Sequence, residues 1–205
     1  MSLSMLRLVS LSLVLPFAAC VTDDASSSSS EPISKEESAV TTQAVEGTVV
    51  AMAPVTSTSP ATIAAAYKAA FAAGAASCAT VATDNLSYVN VTLACTGPLA
   101  TSGSIHLQLT SPTTIEVTSD LMIGGVAIDG SLEVSIPVDP SAERTFHGEL
   151  SITGPRRMLT ADATASWVSN GSCVTYSASG NVEAVGPVRS AQSTFAVNAR
   201  TVCHQ

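Results

Sequence analysis

Cations are scarce in this chain. Eight Lys and Arg stand against sixteen Asp and Glu over 205 residues, a formal charge of −8 at pH 7. So acidic a balance lacks the basic footprint of a nucleic-acid binder and gives no electrostatic pull toward anionic lipid. Charged residues of both signs make up only 12 %. Ser, Thr, Ala and Val fill the place they leave, a composition of exported β proteins with Thr-lined outer faces rather than of helical bundles. Long apolar runs are missing too: Leu8 to Leu15 is a run of eight, too short for a bilayer core that needs about 20 residues.

Catalytic signatures are likewise absent. The chain has no G-x-S-x-G elbow, no H-E-x-x-H, no phosphate-cradling Gly loop and no EF-hand loop, so no enzyme and no cofactor are expected. Histidines are few: His106, His147 and His204. His147 and Glu149 share a strand parity and form a conceivable acid–base pair, but solvated outer-face residues are the ordinary reading. His204 is penultimate and expected to fray. Arg156-Arg157 follows the Gly154-Pro155 turn, where a basic pair could hold an anion or simply be solvated. Asn85-Leu86-Ser87, Asn90-Val91-Thr92 and Asn170-Gly171-Ser172 match glycosylation acceptors, a match that means little if the N-terminal segment is a bacterial lipobox.

What is present begins at the N-terminus. Arg7, the apolar run and Phe17-Ala18-Ala19-Cys20 make the three parts of an export signal. Small residues before a cysteine look like a bacterial lipobox, with Phe17 where Leu is usual. Cleavage by ordinary signal peptidase after Ala19 would set bulky Phe17 at a position that needs a small residue. Cys20 is therefore expected to become the acylated first residue of the mature chain. Several acyl chains at about 0.8 kcal/mol per buried CH₂ hold such a protein on the membrane. Val21 and Thr22 follow, with no Asp directly after the cysteine, which leans toward the outer rather than the inner membrane. Residues 1–19 are thus assigned to a signal peptide, and 186 residues remain, enough for one domain.

Four further cysteines, Cys78, Cys95, Cys173 and Cys203, fit two disulfides in an oxidising compartment. Of three connectivities, Cys78–Cys95 and Cys173–Cys203 are preferred because each pair brackets one expected hairpin. No two of the four show the close spacing of a zinc site. One conflict stands. Cys203 shares the inward parity of Phe195 and Val197, whereas Cys173 shares the outward parity of Thr175; a bulge near Gly180 or a strand end at Gly171 would reconcile them.

Residues 20–46 are expected to form the lipidated cysteine and a flexible, acidic, Ser-rich tether. Ser26 to Ser30 is low complexity, and such a segment buries too little to offset its ordering entropy. The body, residues 47–205, opens with a possible short strand at Val49–Met52. Ser59 as N-cap and Pro60 at the first helical position then start a helix through the Ala-rich run to Ser77. Ile63, Tyr67, Phe71 and Ala75 form its apolar stripe. After Cys78 the period becomes two. Apolar positions alternate with polar ones in eight runs, among them Val89–Cys95, Ile105–Leu109, Leu132–Val138, Leu159–Trp167 and Phe195–Ala199. Breakers such as Gly124-Gly125 and Asn170-Gly171 separate the runs, the latter a type I′ hairpin signal.

These runs predict a mainly β fold: an antiparallel meander of about 8–9 strands with one N-terminal Ala-rich helix packed on it. Such a sheet is roughly 40 Å wide at about 4.8 Å per strand, more than one helix can cover. It must curve strongly, close into a barrel, or split into a sandwich. The row Ala161-Ala163-Ala165 offers a shallow groove for the Ala-rich helix.

The lipobox, the Ser-rich acidic tether and the Cys-paired meander, with Thr145-Phe146-His147-Gly148-Glu149-Leu150-Ser151-Ile152 and Ser172-Cys173-Val174-Thr175, resemble uncharacterised bacterial lipoproteins. That resemblance implies a cell-envelope location and brings no catalytic residues. The expected function is a non-enzymatic structural or interaction module with a protein or envelope-polymer partner. The alternative is a carrier enclosing a lipid or other apolar ligand, for which small inner residues (Ala161, Ala163, Ala165, Ala178, Ala199) would leave room.

Overall fold

The computed structural model describes residues 32–73, 76–84, 86–96, 100–139, 141–170, 173–185 and 190–203. The lipobox with Cys20, the Ser26–Ser30 run, Ala75, Asn85, Gly171 and His204 lie outside them.

The first element is a helix, α1 (Lys35–Met52), over residues that the sequence reading divides between tether and strand. Ser34 caps it: its hydroxyl accepts from Glu37 N–H at 3.2 Å, and Glu37 accepts from Ser34 N–H at 2.8 Å, a reciprocal capping box. The buried stripe runs Glu37, Thr41, Ala44, Val45, Thr48, Val49 and Met52, a helical spacing whose polar members mask it. Thr41 and Thr48 donate to the carbonyls four residues back, so both hydroxyls are buried without loss. Tertiary burial decides the helix, since its Thr, Val and Gly content is poor for helix formation.

The second helix, α2 (Pro60–Ala70), starts at Ser59 and Pro60 as expected but stops seven residues before Ser77. The Phe71 carbonyl accepts from Cys78 N–H at 2.9 Å, and β1 (Ala72–Ala73) pairs with β2 (Ala76–Ser77). Ile63 and Tyr67 are buried, and the Tyr67 hydroxyl donates to Ala51 O at 2.9 Å, tying α2 to the end of α1.

Nine strands follow in one antiparallel sheet: β3 (Ala79–Thr83), β4 (Tyr88–Ala94), β5 (Thr101–Ser111), β6 (Thr114–Ile123), β7 (Val126–Ser135), β8 (Arg144–Thr153), β9 (Met158–Asn170), β10 (Cys173–Val185) and β11 (Ser190–Cys203). Each pairs with its sequence neighbours, so the order is a strict meander. The eight alternating runs are β4–β11; β3 is the ninth. The sheet is open, with β3 and β11 at its edges, so the barrel alternative is not realised. Gly124 and Gly125, with φ of +57° and +87°, turn β6 into β7 as a two-residue loop requires.

The inner face from Val89 to Phe195 is mostly apolar, with Thr101, Ser119 and Arg144 buried in it as well. Two residues expected on this face are not part of it. Val138 lies beyond the end of β7 and is 91 % exposed, and Ala199 sits in a bulge. Between Tyr176↔Arg200 and Ala178↔Val197, β11 carries one extra residue. Ala199 takes φ +44° there, and its N–H donates to Ser177 Oγ at 3.1 Å. The bulge flips the parity of β11, so that Val202 faces inward while Thr201 and Cys203 face outward opposite Thr175 and Cys173. The cysteine conflict is thereby resolved, at residues 198–199 rather than near Gly180.

The inner face packs on α1 from β7 through β11, whereas α2 packs on β3 and β4. The Ala161-Ala163-Ala165 strand therefore lies against α1, not against the Ala-rich helix. Adjacent residues of α1 reach distant strands. Glu46 bonds to β10 and β11, and Gly47 lies so close to Ile123 in β6 that a Cβ there would clash. Laid flat, β6 and β11 would be about 24 Å apart, so the sheet bends round the helix. Gly103 and Gly148, at φ +122° and +156°, permit that bend, because a Cβ at either would collide with the Asp120 or Ser131 carbonyl of the next strand.

Candidate functional site

Strand register assembles a polar patch on the outer face of β4, β5 and β6. Asn90, His106 and Thr118 stand directly opposite one another in one row. Thr92, Ser104 and Asp120 form the next. All six side chains are exposed and line an open hollow of about 380 Å³. Thr92 and Ser104 are short and leave the depression between taller neighbours.

One wall is held in place. His106 Nδ1 and Asn90 Oδ1 are 2.5 Å apart. Asn90 Oδ1 can only accept, so Nδ1 donates this bond. The Tyr88 ring stacks on His106 at 6.0 Å. Tyr88 is positioned by Asp84, whose carboxylate accepts from the N–H groups of Leu86, Ser87 and Tyr88 and from the Ser87 hydroxyl. Those bonds, the Ser87 hydroxyl's first, hold the Asp84 carboxyl well below the usual carboxylate range.

Around the hollow the outer face is acidic. Glu116, Asp120, Asp129, Glu133, Glu149 and Asp162 all point outward, and among the described strand residues no Lys or Arg does. Three pairs oppose each other directly: Glu116↔Glu133, Asp120↔Asp129 and Glu149↔Asp162.

The inner face carries two charged clasps on α1. Arg157 Nε and Nη2 donate to the Glu37 carboxylate at 2.8 and 3.1 Å, and Nη2 also reaches Pro32 O at 3.3 Å. The Arg157 hydrogen bond outweighs burial and lowers the Glu37 pKa. Further along, Glu46 accepts from the Tyr176 hydroxyl at 2.9 Å and forms an ion pair with Arg200, Nε to Oε2 2.9 Å. Burial, then the Glu46 charge, raises the Tyr176 pKa. The gap between α1 and β5–β6, lined by Gln43, Glu46, Gly47, Val50, Thr101 and Ile123, amounts to about 20 Å³, room for one water.

The residues singled out by sequence fall as follows. Cys78 bonds to Cys95 and Cys173 to Cys203, the preferred pairing. His147 is exposed, 3.1 Å from Thr164 Oγ1 and 3.8 Å from Asp162 Oδ1, on an open strand face. Glu149 lies two residues on, opposite Asp162. Arg156 is exposed, but Arg157 turns in to Glu37, so the pair does not form an anion site. Among the described residues, no three His, Cys, Asp or Glu could share a metal ion, and no helix is long and apolar enough to cross a membrane. Sequence reasoning missed the Glu46–Tyr176–Arg200 cluster and the grouping of Asn90, His106 and Asp120, because strand register alone unites them. The Glu37 clasp was signalled by Ser34-Lys35-Glu36-Glu37, a capping-box spacing.

No protein-family model matches the chain, and neither does any curated protein or solved structure.

Proposed function

We propose that this chain is a lipid-anchored bacterial envelope protein, non-enzymatic, whose outer sheet face engages a partner. Acylated Cys20 moors it, with the outer membrane as its destination. The observation that carries the reading is the division of the sheet. Its inner face bends round α1 and is filled by side chains, while its polar outer face, with the β4–β6 hollow, stays open to a partner. An apolar-ligand carrier needs internal space, and the gap beside α1 holds about 20 Å³.

The test is metabolic labelling with an alkyne palmitate analogue, followed by photocrosslinking from outer-face positions such as Gln108 and Ser131. Labelled wild type, unlabelled and unprocessed Cys20→Ser, and crosslinks to an envelope component support the reading. Unchanged labelling of Cys20→Ser removes the anchor, and absence of crosslinks removes the interaction module.

A further inference from the structure

We propose that the β4–β6 hollow is a binding site for a neutral glycan. The proposal rests on the interaction-module reading and names the chemistry of its partner. Two residues along a strand and two strand gaps across give the patch a footprint of roughly 7 by 10 Å, the scale of one or two sugar rings.

The lining selects among ligand classes. Asp120 accepts only, Asn90 both donates and accepts, His106 presents Nε2, and Thr92, Ser104 and Thr118 do either. A polyol, each of whose hydroxyls donates and accepts, can meet all six groups at once. An apolar ligand would leave them unsatisfied. An anion is repelled by Asp120 and by the acidic field of Glu116 and Asp129 beside it. The His106–Asn90 hydrogen bond fixes both side chains beforehand, which lowers the ordering cost of binding. An open hollow with these groups gives weak, millimolar-range recognition of single chains, multiplied where an envelope polymer presents many repeats.

The experiment is amide-resolved NMR titration of the mature lipidated chain in zwitterionic micelles free of sugar headgroups. The probes are neutral hexasaccharides of glucose, galactose, mannose and N-acetylglucosamine at up to about 10 mM, with calcium chloride as a separate arm. The expected result is a saturable shift of amides in residues 88–92, 104–108 and 118–120 with at least one sugar. The same sugar binds at least about tenfold more weakly to His106→Ala and to Asp120→Asn. Ser104→Trp, which fills the hollow from an exposed position, abolishes the shift while the rest of the spectrum is kept. No saturable shift with any sugar, shifts elsewhere only, or shifts with calcium alone would overturn the proposal. Crosslinking from Gln108 and Ser131 reads the interaction module independently, so a partner found there without sugar binding removes only the glycan site.

Discussion

Arg157, in the β8–β9 turn, grips Glu37, in the first turn of α1, through two hydrogen bonds of 2.8 and 3.1 Å across 120 residues of sequence. Glu37 is 1 % exposed. The carboxylate also closes the capping box, so one side chain starts the helix and anchors it to the sheet. Arg157→Ala leaves a buried carboxylate without its cation and should cost about 3 kcal/mol, a fall in Tm of roughly 6–12 °C. The pH dependence has a definite sign. The Glu37 pKa is lowered in the fold, so its contribution is complete above the unfolded carboxyl value and is lost as pH falls through the depressed one. The melting temperatures of wild type and Arg157→Ala should therefore begin to approach each other as pH falls below the unfolded carboxyl value of about 4.3, and meet only below the depressed folded one.

The two disulfides close loops of different length, with sequence separations of 17 and 30. In the chain-entropy account they contribute about 3 and about 3.6 kcal/mol. Denaturant unfolding of the Cys78→Ser/Cys95→Ser and Cys173→Ser/Cys203→Ser chains should show the larger loss in the second. Equal melting of all three chains would contradict a constraint on the unfolded state.

Ala199 holds a positive φ that costs a non-glycine residue about 1–2 kcal/mol. Ala199→Gly relieves it, less the added freedom of the unfolded chain, and should raise stability by about 1 kcal/mol. Destabilisation in chemical denaturation would show that the bulge is not where the parity of β11 changes.

Glu116 and Glu133 face each other on neighbouring strands, where like charges destabilise by a few tenths of a kcal/mol up to about 1. Glu133→Lys converts repulsion to attraction and should raise Tm at low salt, with the gain shrinking as ionic strength screens it. A salt-independent change would point to another cause.

Much of the sheet was legible because each strand hides one face and shows the other. Leu159, Ala161, Ala163, Ala165 and Trp167 are buried as their alternation implies. The bulge escaped because a single inserted residue leaves composition unchanged and alters only parity; the mismatch of Cys173 with Cys203 was its trace. The helix α1 escaped because its buried stripe includes Glu37, Thr41 and Thr48, whose polar groups are satisfied by Arg157 and by backbone carbonyls that sequence does not display. Its Ser34–Glu37 spacing was the available signal. The outer-face hollow was illegible for another reason: Asn90, His106 and Asp120 look like ordinary outer-face residues until register sets them side by side.

The account rests on a filled interior and an acylated N-terminus, and native mass spectrometry of the protein purified from its own membranes tests both together. The expected species begins at Cys20, carries the mass of its acyl chains and two disulfides, and retains no apolar ligand after gentle activation. An unacylated N-terminus, or a stoichiometric lipid that leaves only on unfolding, would contradict it.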